Sequence, residues 1–104
     1  MSEEFKVGDF VAVAHQMEQT RLIIWPAGEN RGWGLGNAIL IYLNRNVNSV
    51  VFGSRNTYVK IQPTEKLLRR AKRNINRIFK NKEIDNLTYI ELLDKLNEHQ
   101  RAVA

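Results

Sequence analysis

The sequence predicts an α+β chain in which five short strands, forming a small barrel or curled antiparallel sheet, precede a C-terminal two-helix hairpin. Three observations predict it. Residues 9–62 carry short β-rich runs punctuated by glycine, proline and asparagine. Beyond Pro63 the apolar residues switch to helical spacing. Both parts fit in 104 residues, the size of one compact domain, with 43% apolar and 26% charged residues as in globular chains. Residues 1–63 form the strand-rich unit and residues 64–104 the helical one, expected to pack together as one domain.

The strands follow in order. Residues 9–15 come after the turn signal Lys6-Val7-Gly8-Asp9. Residues 20–25 are halted by Pro26-Ala27-Gly28, since proline cannot donate to a ladder. A Gly-rich loop over 29–36 leads to residues 37–43, which are apolar on both faces and so need cover on both. The Asn44-Arg45-Asn46 turn precedes residues 49–52, ended by Gly53, and residues 57–62 end at Pro63. In this last run Tyr58 and Lys60 alternate with Val59 and Ile61. Strands this short favour a barrel or curled sheet, which limits exposed edges.

The opening Lys6-Val7-Gly8-Asp9-Phe10-Val11 and the closing Tyr58-Val59-Lys60-Ile61-Gln62-Pro63, with Leu67 beyond it, resemble small SH3-like barrels of the KOW/Tudor type. The three middle strands match by count alone. The resemblance implies a five-stranded SH3-like β-barrel. KOW-type barrels commonly bind RNA, DNA or transcription proteins, and Tudor-type barrels bind methylated side chains. A methyl-binding cage needs several aromatic rings facing one another, for which Trp25, Trp33, Tyr42 and Tyr58 are the candidates. The long Gly-rich loop departs from both types, so no family ligand residue carries over.

Thr64 is placed to cap the first helix, with Glu65 in its first turn. Wound at about 100° per residue, Leu67, Leu68, Ala71, Ile75, Ile78 and Phe79 share one face. Arg69, Arg70, Lys72, Arg73, Arg77 and Lys80 occupy the other. The second helix is marked by Thr88-Tyr89-Ile90-Glu91, which spells a capping box, with Leu87 and Leu92 placed for a hydrophobic staple. The apolar faces of both helices are expected to pack together or over the third strand. Glu91, Asp94 and Glu98 are placed where they could partly neutralise the first helix.

Charge is segregated along the chain. Residues 1–63 hold six Lys/Arg against five Asp/Glu, residues 64–82 hold eight against Glu65 alone, and residues 83–104 hold two against five. A helix with so uniform a polar face bears repulsion of a few tenths of a kcal/mol per like-charge pair. A merely solvated face could use acids equally well, whereas an anionic partner turns the cost into binding energy.

Catalysis and metal binding find no support. Cysteine is absent, and His15 and His99 lie in different elements. The carboxylates Asp9, Glu18 and Glu29 are scattered over a strand and two loops, with no predicted convergence. Gly32-Trp33-Gly34-Leu35-Gly36 lacks the Lys-Ser/Thr and following helix of a phosphate loop. Trp33 beside Arg31 is either a contact device or a lid over the core. The expectation is a protein that is not an enzyme and has no cofactor, catalytic residue or metal site.

The expected function is nucleic-acid binding, largely independent of sequence, with duplex DNA before RNA. Its candidate contacts are Lys66, Arg69, Arg70, Lys72, Arg73, Arg77 and Lys80 on the basic helix, Arg31 and Trp33 in the loop, and Arg45, Arg55 and Lys60 extending the patch. The alternative is a protein-interaction module, such as a viral or mobile-element inhibitor whose basic face docks on an acidic surface of a host nucleic-acid-processing enzyme. A membrane partner is not expected, because the helix needs its apolar face inside the domain. The acidic start Met1-Ser2-Glu3-Glu4 is unlike a secretory signal, and the apolar stretch 38–43 is too short to span a bilayer. Lack of cysteine agrees with a reducing compartment, so a cytoplasmic setting is expected, the host's if the protein is viral.

Overall fold

In the computed structural model, residues 5–25, 38–43, 50–53 and 58–103 are described. The chain is α+β, with its elements in the order β1 (Phe10–Val13), β2 (Gln16–Trp25), β3 (Ala38–Tyr42), β4 (Val50–Gly53), β5 (Tyr58–Lys60), α1 (Glu65–Lys80) and α2 (Asn86–Val103). The strands are antiparallel neighbours in the order β4-β3-β2-β1-β5. The described pairings therefore leave β4 and β5 at opposite edges of an open sheet.

A turn leads into the sheet. The Asp9 amide donates to the Lys6 carbonyl at 3.1 Å, and the Asp9 carboxylate accepts from the Lys6 amide at 2.8 Å. Gly8 takes φ +86° here, and a Cβ at this position would run into the side chain of Lys95 on α2. Glycine is thus required twice, by the turn and by the close approach of the helix. Beyond β1 the chain reverses through Ala14 and His15, pairing Val13 with Gln16. Strand β2 accordingly begins at Gln16 rather than Thr20, because its first four residues form the solvent-exposed end of this hairpin.

A register irregularity between Ile23 and Trp25, where β2 meets β3, gives β2 an extra residue. Strict alternation would put Trp25 on the Ile23 face. With the bulge, Trp25 joins Leu22 and Ile24 in the larger core instead. Phe10, Ile41 and Leu43 complete the sheet side of that core, and Leu68, Ala71, Ile75, Ile78, Leu92 and Leu96 close it from the two helices. Helical and strand-rich parts therefore share one interior. The opposite face buries Val11 and Ile23 against Phe5, with Tyr58 alongside. Arg21, cross-strand from Val11, is 6% exposed, and its guanidinium donates to the Thr20 carbonyl and to Gln19 Oε1.

Helix α1 is capped as expected, with Thr64 Oγ1 accepting from the Leu67 amide at 3.2 Å. The start of α2 corrects the sequence reading. Asp85, not Thr88, is its cap: Asp85 Oδ1 accepts from the Thr88 amide at 2.8 Å, one turn earlier than the capping box would start. Thr88 is fully buried, and its Oγ1 accepts from Trp25 Nε1 at 3.0 Å. Leu87 is 55% exposed and does not staple the helix end.

Candidate nucleic-acid interface

The site is built on α1. Its buried face consists of Leu68, Ala71, Asn74, Ile75 and Ile78. That leaves Lys66, Arg69, Lys72, Arg73, Arg77 and Lys80 exposed, with Arg70 half-buried. Helical geometry puts Lys66, Arg69, Arg73, Arg77 and Lys80 within an arc of about 80°, along a line of about 21 Å. No ion pair joins these five cations to a described residue.

The two remaining basic residues of the helix flank this stripe. Arg70 is turned towards the sheet, where its Nη1 donates to the carbonyl of Leu43 just beyond β3. It ties α1 to the sheet and is a structural residue first. Lys72 lies on the α2 flank, between the helical positions of Asn76 and Phe79. Phe79 stacks on Tyr89 of α2 with ring centroids 4.0 Å apart, and the Tyr89 hydroxyl donates to Asn76 Oδ1 at 2.6 Å.

The acids of α2 do not answer the stripe. Tyr89 marks the side of α2 that meets α1, whereas Glu91, Asp94 and Glu98 are about 140–180° round the helix from it. With Phe5, Lys6, Val7 and Lys95 these acids line a cleft of about 490 Å³ against the N-terminal segment. Glu98 is 3.5 Å from Lys95 of its own helix. The partial neutralisation that the sequence allowed is therefore directed elsewhere, and α1 keeps a cationic outer face.

Lys60 does not extend that face as a free charge. Its Nζ is 3.5 Å from the Asp9 carboxylate, and both residues line a small cleft with Phe10, Ile61, Gln62 and His99. The described lining comes from around β1 and β5 and from α2. Arg31, Trp33, Arg45 and Arg55 lie outside the described residues, so the loop contact and the strand-end extension have no placement. Of the aromatic-cage candidates, Trp25 is buried in the larger core and Tyr58 packs against the smaller one, so these two do not face one another. The side chains of Trp33 and Tyr42 are not among those described.

The histidines are also separate. His15 is exposed at the β1–β2 turn. His99 sits edge-on against Phe10, with ring centroids 5.1 Å apart, and its Nε2 is 3.1 Å from the Gly8 carbonyl. Among the described residues no group of three or more His, Cys, Asp or Glu could hold a metal ion. None of the described helices is long and apolar enough to cross a membrane.

The structure thus defines an α+β protein whose sheet carries a helical hairpin, with one hairpin helix presenting a line of cations that no described residue pairs. No protein-family model, curated protein or solved structure matches the chain.

Proposed function

We propose that this chain is a non-enzymatic nucleic-acid-binding protein that grips the phosphate backbone of a duplex through the outer face of α1, DNA before RNA. The observation that carries the reading is the stripe of Lys66, Arg69, Arg73, Arg77 and Lys80, unpaired within the described fold and turned away from the acids of α2. Contacts of this kind gain affinity by releasing condensed counterions and carry no base-sequence information. Base stacking on single strands needs exposed aromatic rings. Among the described residues of the strand-rich part, Trp25 is buried and Tyr58 only half-exposed, which favours a duplex ligand.

Arg31 and Trp33 are proposed as a second contact, and Arg45 and Arg55 as extensions of the patch. We further take the sheet to be a curled, SH3-like one of the KOW/Tudor type. The return of β5 beside β1 supports this, because such pairing lets a small meander curl towards closure. A cytoplasmic setting is part of the same proposal.

The test is a charge reversal that spares the fold. Arg69→Glu, Arg73→Glu and Arg77→Glu are combined, leaving Arg70 to hold Leu43. Circular dichroism establishes that the variant is folded, and fluorescence anisotropy measures its affinity for labelled duplex DNA. Losing three phosphate contacts predicts at least about a 100-fold loss near 0.1 M salt. Wild-type affinity in the folded variant would sink the reading. An absence of duplex binding by the wild type would also overturn it, leaving the same face as a docking surface for an acidic protein partner.

A further inference from the structure

Two large apolar side chains of the helical hairpin stand in water. Leu87 is 55% and Ile90 54% exposed, and with Met17 on β2 they are the large hydrophobics left exposed among the described residues. Neither joins a described core, and Leu87 does not staple the start of α2.

What α2 buries fixes where the pair points. Thr88, Leu92 and Leu96 face the interior. Winding at about 100° per residue puts Ile90 about 20° and Leu87 about 40° from the opposite, outward direction. The cationic stripe likewise lies opposite the buried face of α1. Both helices close the same core over the sheet, so the pair and the stripe share one outer surface. They also share a level. The Phe79–Tyr89 stack and the Tyr89–Asn76 hydrogen bond set the first turn of α2 beside the last turn of α1. Leu87 and Ile90 therefore flank Arg77 and Lys80, across the roughly 8–10 Å that separate packed helix axes. Asp94, about one turn beyond Ile90, ends the apolar stretch.

We propose that Leu87 and Ile90 are the sugar-contacting part of the α1 grip and make it select a deoxyribose duplex over a ribose one. The proposal rests on the reading of α1 as a duplex-binding face. Sugars lie beside the phosphates along each strand, so cations that reach phosphates bring a neighbouring row of side chains against sugar edges. Deoxyribose offers C–H surface at C2′ for Leu87 and Ile90 to cover. Ribose carries a hydroxyl there, and an apolar side chain laid over it gives it no hydrogen bond. Apolar contact also releases no counterions, so its contribution leaves the salt slope unchanged.

The test compares the wild type, a combined Leu87→Ala and Ile90→Ala variant, and Met17→Ala. Each is titrated by anisotropy with labelled DNA and RNA duplexes of matched sequence over a range of salt, after circular dichroism has established that it is folded. The wild type should bind the DNA about tenfold more tightly than the RNA. The double variant should lose about tenfold on DNA and less than about twofold on RNA, with the DNA salt slope of the wild type. Met17→Ala should bind as the wild type does, because Met17 lies on the sheet rather than on the hairpin helices.

A folded double variant that keeps wild-type DNA affinity overturns this proposal while the α1 reading stands, and leaves the pair as a contact for a protein partner. Equal weakening on both duplexes overturns it too, as does a wild type without preference for DNA. A wild type that binds no duplex overturns both the proposal and the α1 reading.

Discussion

Two residues join the sheet to α2 through backbone and hydrogen-bond geometry rather than bulk. Gly8 combines positive φ with contact against Lys95, and its carbonyl meets His99 Nε2. Alanine at Gly8 must strain the turn or push α2 away, so Gly8→Ala should cost about 2 kcal/mol or more, read from urea unfolding. Equal stability of the variant and wild type would show that the turn and helix give way easily. Thr88 is the second such residue. Removing its hydroxyl takes away the acceptor at 3.0 Å from Trp25 Nε1 in the core, so Thr88→Val should cost about 1 kcal/mol, although it keeps the side chain's shape. Thr88→Ser keeps the acceptor and should lose less. If valine proved no worse than serine by chemical denaturation, the Trp25–Thr88 bond would contribute little.

The helices show which signals were legible from the sequence and which were not. Thr64 was readable as a cap because Pro63 forbids earlier helix and an apolar 3.6-residue rhythm starts at once beyond it. The start of α2 is ambiguous in the sequence because two caps compete there. Thr88 and Glu91 have capping-box spacing, but Asp85 lies three residues earlier, and the choice depends on a tertiary event. The β2 bulge swings Trp25 under α2, where its indole N–H takes the Thr88 hydroxyl as acceptor. No local pattern announces that bulge. The first residues of β2 carry no signal for the opposite reason, since Gln16–Gln19 are largely exposed and lack the apolar alternation that marks a half-buried strand. The cap assignment makes its own prediction. Asp85→Ala should cost about 1 kcal/mol and Leu87→Ala less than about 0.5 kcal/mol in equilibrium unfolding. A larger loss at Leu87 than at Asp85 would restore the staple.

At the scale of the whole molecule, apolar burial and charge are arranged on different surfaces. The helices spend their apolar faces on the sheet, α2 turns its acids to the N-terminal cleft, and α1 is left with its cations outward. The sequence made the charge of the candidate site legible, because eight basic residues fall within 64–82. It did not reveal that Arg70 would be drawn to Leu43 or Lys60 to Asp9, since both pairings depend on long-range contacts. The central claim is that the stripe is a phosphate grip, and counterion release gives it a direct signature. The decisive measurement is the affinity of the wild type for labelled duplex DNA between about 50 and 200 mM salt. Five contacts predict a log–log slope of about −4.5. A slope near zero, or no binding at about 50 mM salt, would contradict the account.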